Sequence, residues 1–285
     1  MVGRAATARP TGVVAVVPAK DEADRLAATL AALARLACVE HVVVVDDGSS
    51  DGTAEVARRA ADELARGSAE GPVPGGVDGH AAPAGHTARS GHTARSGPGV
   101  SAAPHPLTVR VAQHACNRGK AVALHTGAVL AAEHDPAAPL LFVDADLQES
   151  AANLADLCAP VLAGEADMAV AILPPQDRPG GGFGLVVRTA RDGIRDLTGW
   201  QPTQPLSGMR CLTRQAYEGA LPLAPGWGVE VGLSVDVLRA GGRVVEVPCA
   251  LQHRVTGRDW RGILHRARQY RDVRRALARR RRAQH

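Results

Sequence analysis

Short runs of Val, Ala and Leu alternate along the chain with longer stretches that have helical periodicity. The strand-sized apolar runs are residues 12–18, 41–47, 107–112, 140–146 and 167–173. The helical stretches that follow the first four runs are residues 21–36, 50–66, 119–133 and 150–163. Unbroken apolar runs of this length are typical of strands buried on both faces. The alternation therefore predicts βαβ units and a mostly parallel α/β sheet flanked by helices.

The last third of the chain has a different order of elements. Helices are predicted at 185–199, 228–241 and 260–280, with strands within 206–214 and 243–254. We expect this part to complete the sheet. Among the helix starts, Asp21 and either Ser50 or Asp51 are predicted to be N-caps.

Residues 67–106 interrupt the pattern with a Gly-, Pro-, Ala- and His-rich segment that contains the hexapeptide GHTARS twice in tandem. It has no apolar periodicity and is interpreted as a disordered surface insertion. The prediction is one domain over 1–285, divided into residues 12–173, which the insertion interrupts, and residues 174–285.

Charge is distributed unevenly along the chain. Residues 258–282 hold eleven Arg against two Asp, a charge of +9, although the whole chain carries only +4. This argues against reading the high pI as a sign of nucleic-acid binding. The basic helix fits either an anionic membrane surface or a solvated polybasic end.

Cellular location is predicted from what the sequence lacks. The sequence has no secretory signal pattern and no apolar run long enough for a membrane span, and its five cysteines are scattered. We expect a cytoplasmic protein, with peripheral attachment at the inner membrane face as an alternative, and a homodimer is left open.

Polar motifs follow four successive predicted strands. They are PAKDE at 18–22, DDGSSDGT at 46–53, NRGKA at 117–121 and DAD at 144–146. Ligands of open α/β sheets bind at the carboxyl ends of the strands, so the four motifs are expected to meet there. Asp144 and Asp146, two residues apart at a strand end, are expected to point to one side.

These four motifs resemble those of the GT-A, family 2-like glycosyltransferases. Three later segments, QPLSGMRCLTR, GWGVEVGLSVDVL and QHRVTGRD, resemble the glucosyl-3-phosphoglycerate synthase branch more than the dolichyl-phosphate mannosyltransferase branch. The resemblance implies a GT-A fold with a Rossmann-like sheet. The chain departs from the family pattern at Asp21, Ala121, Phe183 and Leu185. The last two stand where that branch binds its phosphoglycerate acceptor, so the acceptor stays open.

The resemblance implies binding residues for an NDP-sugar and for Mg²⁺ or Mn²⁺. The nucleotide-sugar set is Pro18, Ala19, Lys20, Glu22, Asp46, Asp47, Lys120, Asp144, Ala145 and Asp146. Carboxylates suit hard cations, so Asp146 and Asp144 are the expected metal ligands, joined by His253 on the resemblance. Lys120 at a helix start suits a diphosphate. Asp47 has an alternative role, capping the turn with Gly48 and Ser49.

The resemblance implies that residues 12–173 form a nucleotide-sugar-binding half and residues 174–285 an acceptor half. There the acceptor is expected to meet Gly181, Gly182, Ser207 and Gly208. Glu230 and Asp144 are the candidate catalytic residues, and Glu230 could orient a hydroxyl or act as a base. Trp227 could stack on a sugar or pack in the core.

The predicted function is a metal-dependent glycosyltransferase that moves a hexose from an NDP-sugar, UDP-glucose or a similar UDP-sugar, to a hydroxyl or phosphate acceptor. Retention of configuration is expected. The alternatives are an inverting enzyme acting on a polyprenyl phosphate and a nucleotide-binding protein without activity. A Rossmann oxidoreductase is argued against because no Gly-rich turn follows the first strand.

Overall fold

The computed structural model describes residues 10–69, 107–174, 184–251 and 260–283. The strands are β1 (Val13–Ala19), β2 (Val39–Asp46), β3 (Thr108–Gln113), β4 (Leu140–Phe142), β5 (Met168–Ile172), β6 (Arg210–Leu212) and β7 (Val244–Pro248). The helices are α1 (Ala23–Leu33), α2 (Thr53–Ala69), α3 (Lys120–His134), α4 (Ala155–Leu162), α5 (Leu185–Thr198), α6 (Arg214–Gly219), α7 (Val229–Arg239) and α8 (Trp260–Arg282). Short 3₁₀ helices span Gln148–Leu154 and Gly226–Gly228.

The seven described strands form one sheet in the order β3-β2-β1-β4-β6-β5-β7. Within this sheet β6 runs antiparallel to β4 and β5, and every other pairing is parallel. The chain winds outward from β1 to β3 and then returns to place β4 on the other side of β1. This reversal of direction leaves a crevice between the carboxyl ends of β1 and β4, where ligands of such sheets bind.

Side-chain alternation along the strands explains the layers. On β1, Val13, Ala15 and Val17 face a core made with α1, α2 and α4. Val14 and Val16 face a second core made with α3, α6 and α7. Both sets are fully buried, as expected for strands covered on each face.

A third cluster joins α5, α7 and α8 beside the sheet. In α8, Val273, Ala276 and Leu277 are buried against this cluster, and the Arg side chains on the other faces are mostly exposed. The mostly parallel sheet flanked by helices confirms the predicted fold class. None of the described helices combines the length and the apolar character needed to cross a bilayer.

Several predicted boundaries are wrong in detail. The helix predicted at 150–163 is a 3₁₀ turn followed by α4, and α2 continues to Ala69, inside the predicted insertion. The rest of that insertion lies outside the described residues. Asp21 is not the N-cap of α1, because its backbone has φ 55° and α1 begins two residues later. Ser50 does not cap α2, which begins at Thr53, whereas the Asp51 carboxylate accepts a capping hydrogen bond from the Thr53 N–H at 3.1 Å.

Candidate active site

The carboxyl ends of β1, β2 and β3 lie side by side in register. Ala19 is opposite Asp46, and Asp46 is opposite Gln113. Beyond the strands the chain stays close: the Asp47 N–H donates to the Ala19 carbonyl, and the His114 N–H donates to the Asp46 carbonyl. The polar motifs of the first three strands therefore meet at one edge of the sheet.

Asp46 is fully buried, and its two carboxylate oxygens differ in their hydrogen bonding. Its Oδ1 accepts a hydrogen bond from the Ser49 N–H at 3.1 Å, whereas its Oδ2 has no partner among the residues that the structure describes. A cleft of about 330 Å³ lies at the same edge of the sheet, lined by Gly48, Ser49, Gln113, His114 and Ala115. Buried carboxylate oxygens are nearly always hydrogen-bonded, so the free Oδ2 marks a position where a ligand N–H or O–H would be stabilised.

Asp47 is also buried, but both of its oxygens are used by the protein. They accept hydrogen bonds from the N–H groups of Arg118 and Gly119 at 2.8 and 2.7 Å. The His114 Nδ1 donates to the same carboxylate at 2.7 Å. Burial alone would raise the pKa of Asp47, but these hydrogen bonds outweigh it and hold the pKa below its usual range. The turn at Gly48 and Ser49 is capped by Asp46, and Asp47 instead anchors the loop that leads into α3.

Lys120 is the first residue of α3, after Gly119 at φ 90°. Its Nζ lies 2.8 Å from the Asp144 Oδ1 and 3.1 Å from the Glu230 Oε1. Burial would lower the pKa of Lys120, but attraction to the two carboxylates exceeds that effect and raises it. These three residues, called the Lys120 cluster below, join three segments that are far apart in sequence.

The predicted acceptor residues Ser207 and Gly208 lie beside the Lys120 cluster. A Cβ at Gly208 would come within 2.6 Å of the Lys120 Nζ and 2.7 Å of the Asp144 Oδ2. Ser207 is 7% exposed, and its hydroxyl has no hydrogen-bond partner within the described ranges. Glycine is therefore required for the loop to approach the charged side chains so closely.

Glu230 is the second residue of α7 and is only 5% exposed. Trp227 stands three residues before it and is 37% exposed, so the alternative of a core tryptophan is wrong. The backbone N–H of Trp227 donates to the Asp272 carboxylate of α8 at 3.4 Å. The carboxylate of Glu230 thus faces the Lys120 cluster while the tryptophan reaches solvent nearby.

Asp144, Ala145 and Asp146 lie in a turn beyond the end of β4. The argument that strand alternation aligns the two carboxylates is therefore wrong. A buried hydroxyl holds the turn instead: Thr29 donates to the Ala145 carbonyl at 2.8 Å and accepts from the Gln148 N–H at 2.8 Å. Asp146 is partly exposed and forms no hydrogen bond or ion pair in the described part of the chain.

Comparisons with known proteins agree with this geometry. The model of glycosyl transferase family 2 matches residues 14–68, which span β1 to α2. No curated protein matches the sequence significantly. Glucosyl-3-phosphoglycerate synthase from Mycobacterium tuberculosis, solved with Mn²⁺, UDP-glucose and phosphoglyceric acid, is 21% identical with a TM-score of 0.65, covering 95% of this chain and 79% of that one. The same enzyme solved with Mg²⁺ and UDP is 20% identical, with the same TM-score and coverage.

The chain has the GT-A fold. The predicted resemblance to family 2-like glycosyltransferases is confirmed by the family match and by the shape of the whole sheet. A glycosyltransferase is the class of enzyme that the family match supports. The GT-A relatives were solved with Mn²⁺ or Mg²⁺ together with UDP, the cofactors predicted from the sequence.

The remaining predicted site residues of this GT-A chain have varied surroundings. Pro18 and Ala19 end β1, and Lys20 forms an ion pair with Asp21. Glu22 forms an ion pair with Arg25 within α1, and its N–H donates to the Thr53 hydroxyl at 2.9 Å. The predicted residues Gly181, Gly182 and His253 lie outside the described residues.

Three residues that support the site had not been selected from the sequence. Thr29 holds the turn at Ala145, His114 holds Asp47, and Arg210 lies buried beneath Ser207. A Thr inside an apolar helix face and an Arg inside a predicted strand are the signals that could have pointed to two of them.

Proposed function

We propose that this protein is a metal-dependent glycosyltransferase that moves a hexose from a UDP-sugar, such as UDP-glucose, to a hydroxyl or phosphate acceptor. The observation that carries the proposal is the arrangement at the strand ends of the GT-A sheet. A buried carboxylate with a free oxygen, Asp46, stands at one end of the crevice. The Lys120 cluster stands at the other.

Recognition of the nucleotide is assigned to the β1 and β2 ends. The free Oδ2 of Asp46 accepts a hydrogen bond from an N–H of the base or an O–H of the ribose. Pro18, Ala19, Lys20 and Glu22 border the same edge, and the cleft beside Gly48 and Ser49 accommodates a planar ring. A pyrimidine such as uracil offers the required N–H donor. Asp47 contributes indirectly, because it fixes the loop before Lys120.

Lys120 is assigned to the diphosphate. A compact ammonium at the first turn of α3 adds its charge to N–H groups and a helix dipole that already favour anions. In the free protein Lys120 is held between Asp144 and Glu230 at about 3 Å from each. The same carboxylates then remain available to the hydroxyls of the sugar when Lys120 engages phosphate.

Asp146, with Asp144, is assigned to a divalent cation. Carboxylate oxygens are the ligands that Mg²⁺ and Mn²⁺ prefer, and Asp146 has no competing partner in the described part of the chain. Asp144 is already paired with Lys120, so Asp146 is the stronger ligand of the two. No group of three candidate ligands occurs among the described residues, and His253 is proposed to complete the set. When bound, the cation would neutralise the diphosphate.

Retention of configuration is proposed for the transfer. Glu230 is held by Lys120 at the start of α7, so it is suited to orienting a sugar or acceptor hydroxyl through a hydrogen bond. The departing diphosphate oxygen then accepts the acceptor proton on the same face of the sugar. Anomeric NMR of the product tests this, since an inverted product contradicts it.

Nucleotide binding is tested by thermal shift with UDP, GDP and CDP, each with and without Mn²⁺. We expect UDP with Mn²⁺ to stabilise the protein most. Asp146→Ala should remove the Mn²⁺ dependence, and Asp46→Asn should weaken UDP binding by about 10- to 100-fold, because a hydrogen bond to a charged group contributes about 1.5–3 kcal/mol. Asp62→Asn, an exposed change on α2, is the control. No stabilisation by any nucleotide would contradict the proposal.

Activity is tested by incubating the protein with UDP-hexoses and a panel of acceptors that includes phosphoglycerate, simple sugars and a polyprenyl phosphate. Mass spectrometry then identifies any glycosylated product. Nucleotide binding without hydrolysis or transfer would favour the non-catalytic alternative.

A lipid phosphate is the second candidate acceptor, because α8 exposes a row of Arg side chains. Arg268, Arg271, Arg275, Arg279 and Arg282 are exposed, and Trp227 projects beside the same helix. Basic helices with nearby Trp bind anionic membrane surfaces. Such a contact would bring the acceptor side of the site to a membrane-bound phosphate.

A further inference from the structure

Arg210 is a fully buried arginine whose partners are all uncharged. It lies on β6, opposite Phe142 of β4 and Val170 of β5. Its Nε donates to the Ser207 carbonyl at 2.9 Å and its second terminal nitrogen to the Pro205 carbonyl at 3.3 Å. Its first terminal nitrogen donates to the Ser234 hydroxyl at 2.9 Å and contacts the Met168 sulfur at 3.8 Å.

Two of these hydrogen bonds lead directly to the Lys120 cluster. The Ser207 carbonyl immediately precedes Gly208, the residue that lies against Lys120 and Asp144. The Ser234 hydroxyl donates in turn to the Glu230 carbonyl at 3.0 Å. One guanidinium therefore ties the loop at 205–208 to the start of α7, the two segments that border the cluster from the acceptor half.

The charge of Arg210 has no adjacent counter-ion in the described part of the chain. Burial lowers the pKa of Arg210 to about 10, and attraction to Glu230 and Glu246 opposes that effect. The group remains protonated at neutral pH, so Glu230 has Lys120 on one side and the field of Arg210 on the other. A buried charge among neutral partners is costly compared with an apolar residue. Its presence beneath the site therefore calls for a role other than stability.

We propose that Arg210 is a positioning residue of the transfer site, which holds Gly208 and Glu230 against Lys120 and so decides where the hexose lies. The kinetic part of this inference rests on the proposed function, but the structural part does not. The fork of the guanidinium is needed, because one group must bind two carbonyls and a hydroxyl in fixed directions.

The structural part is tested by NMR of the lysine side chains. The chain has only two lysines, Lys20 and Lys120, so protein labelled with ¹³C-lysine has one Cε signal from each, and Lys20→Arg assigns them. Arg210→Met and Ser234→Ala should each move the Lys120 signal and leave that of Lys20 in place. Arg214→Met is the matched control, since Arg214 is a buried arginine whose one hydrogen bond to the described residues is to the Ala128 carbonyl.

If Arg210→Met does not fold, Ser234→Ala decides, because it breaks the link to Glu230 and leaves the arginine in place. An unmoved Lys120 signal in the folded variants, or an equal shift in Arg214→Met, would overturn the inference.

The kinetic part is tested with the UDP-sugar that the wild type uses. Arg210→Lys should lower kcat on the order of 100-fold, since small misplacements of a bound substrate have effects of that size. The loss should fall mainly on kcat and much less on the affinity for UDP, because Asp46 and Asp146 are untouched and Lys120 keeps its charge. Equal losses of kcat in Arg210→Lys and Arg214→Lys would show a purely structural role. If the wild type uses no UDP-sugar, the proposed function fails and the lysine signals alone decide the role of Arg210.

Discussion

At the scale of single residues, Asp46 and Asp47 are neighbours in the chain whose carboxylates meet different surroundings. Asp46 keeps one oxygen free in a buried place, whereas Asp47 receives three hydrogen bonds from the protein. The first arrangement leaves a carboxylate oxygen available to a ligand, and the second stabilises the fold. The two consecutive aspartates in the sequence do not predict this difference, because it depends on the direction in which each side chain leaves the end of the strand.

Asp47→Asn is expected to destabilise the protein in a pH-dependent way. The folded-state pKa of Asp47 lies below its ordinary value of 3.8. Its contribution is therefore complete above that value and is lost as the pH falls through the folded-state pKa. At pH 7 the loss should be about 1–3 kcal/mol, the usual cost of disturbing a buried hydrogen-bonded charge.

The measurement is urea unfolding of wild type and variant at pH 7 and at pH 3. The difference in free energy of unfolding should shrink at pH 3. Asp62→Asn, with an exposed carboxylate, serves as the comparison and should change little at either pH. A difference that stays constant between the two pH values would contradict the assignment.

At the scale of elements, α3 approaches the sheet closely at one glycine. A Cβ at Gly127 would lie 2.3 Å from the Val16 Cγ1 and 3.3 Å from the Val45 Cγ2. The close approach matters for the site, because α3 begins with Lys120. The helical periodicity of the sequence predicts α3 well, but it does not reveal how near the helix lies to β1.

Overpacking the core with Gly127→Ala should cost about 1–3 kcal/mol. Since alanine brings a gain of roughly 1 kcal/mol to a helix interior, the net loss of stability should be up to about 2 kcal/mol. Gly219→Ala on α6 is the matched control, because a Cβ there meets nothing within 4 Å. Urea unfolding measures both, and equal stability of the two variants would disprove the close packing of α3.

At the scale of the whole molecule, charge is segregated between the body of the chain and α8. The helix packs through Val273, Ala276 and Leu277, while Arg280 pairs with Asp236 of α7. The exposed arginines therefore form one basic face on the acceptor side. This segregation was visible in the sequence, but the direction of the face follows only from the packing of α8 on α5 and α7.

Replacing Arg268, Arg275 and Arg279 by Gln should weaken binding to anionic phospholipid vesicles at low salt. Each basic residue near such a surface contributes about 1 kcal/mol, so the three changes should lower binding on the order of 100-fold. The matched variant replaces Arg58, Arg59 and Arg66, exposed residues of α2. Cosedimentation measures both. Equal effects of the two variants, or equal binding to neutral vesicles, would reject the membrane contact.

The sequence by itself determined the mostly parallel sheet and the meeting of its motifs. Runs such as Val13–Val17 form strands covered on both faces, and successive parallel strands bring their carboxyl ends to one edge whatever the details of packing. For the same reason the motifs at Asp46, Lys120 and Asp144 could be selected without coordinates.

Only the tertiary structure decided which of these groups contact one another. Lys120 and Glu230 form an ion pair across more than a hundred residues, and Arg210 reaches both Ser207 and Ser234 from inside the core. Periodicity and motif spacing describe neighbours along one element. Contacts between distant elements depend instead on close approaches such as that of Gly208, which are set by the packing of the whole sheet and its helices.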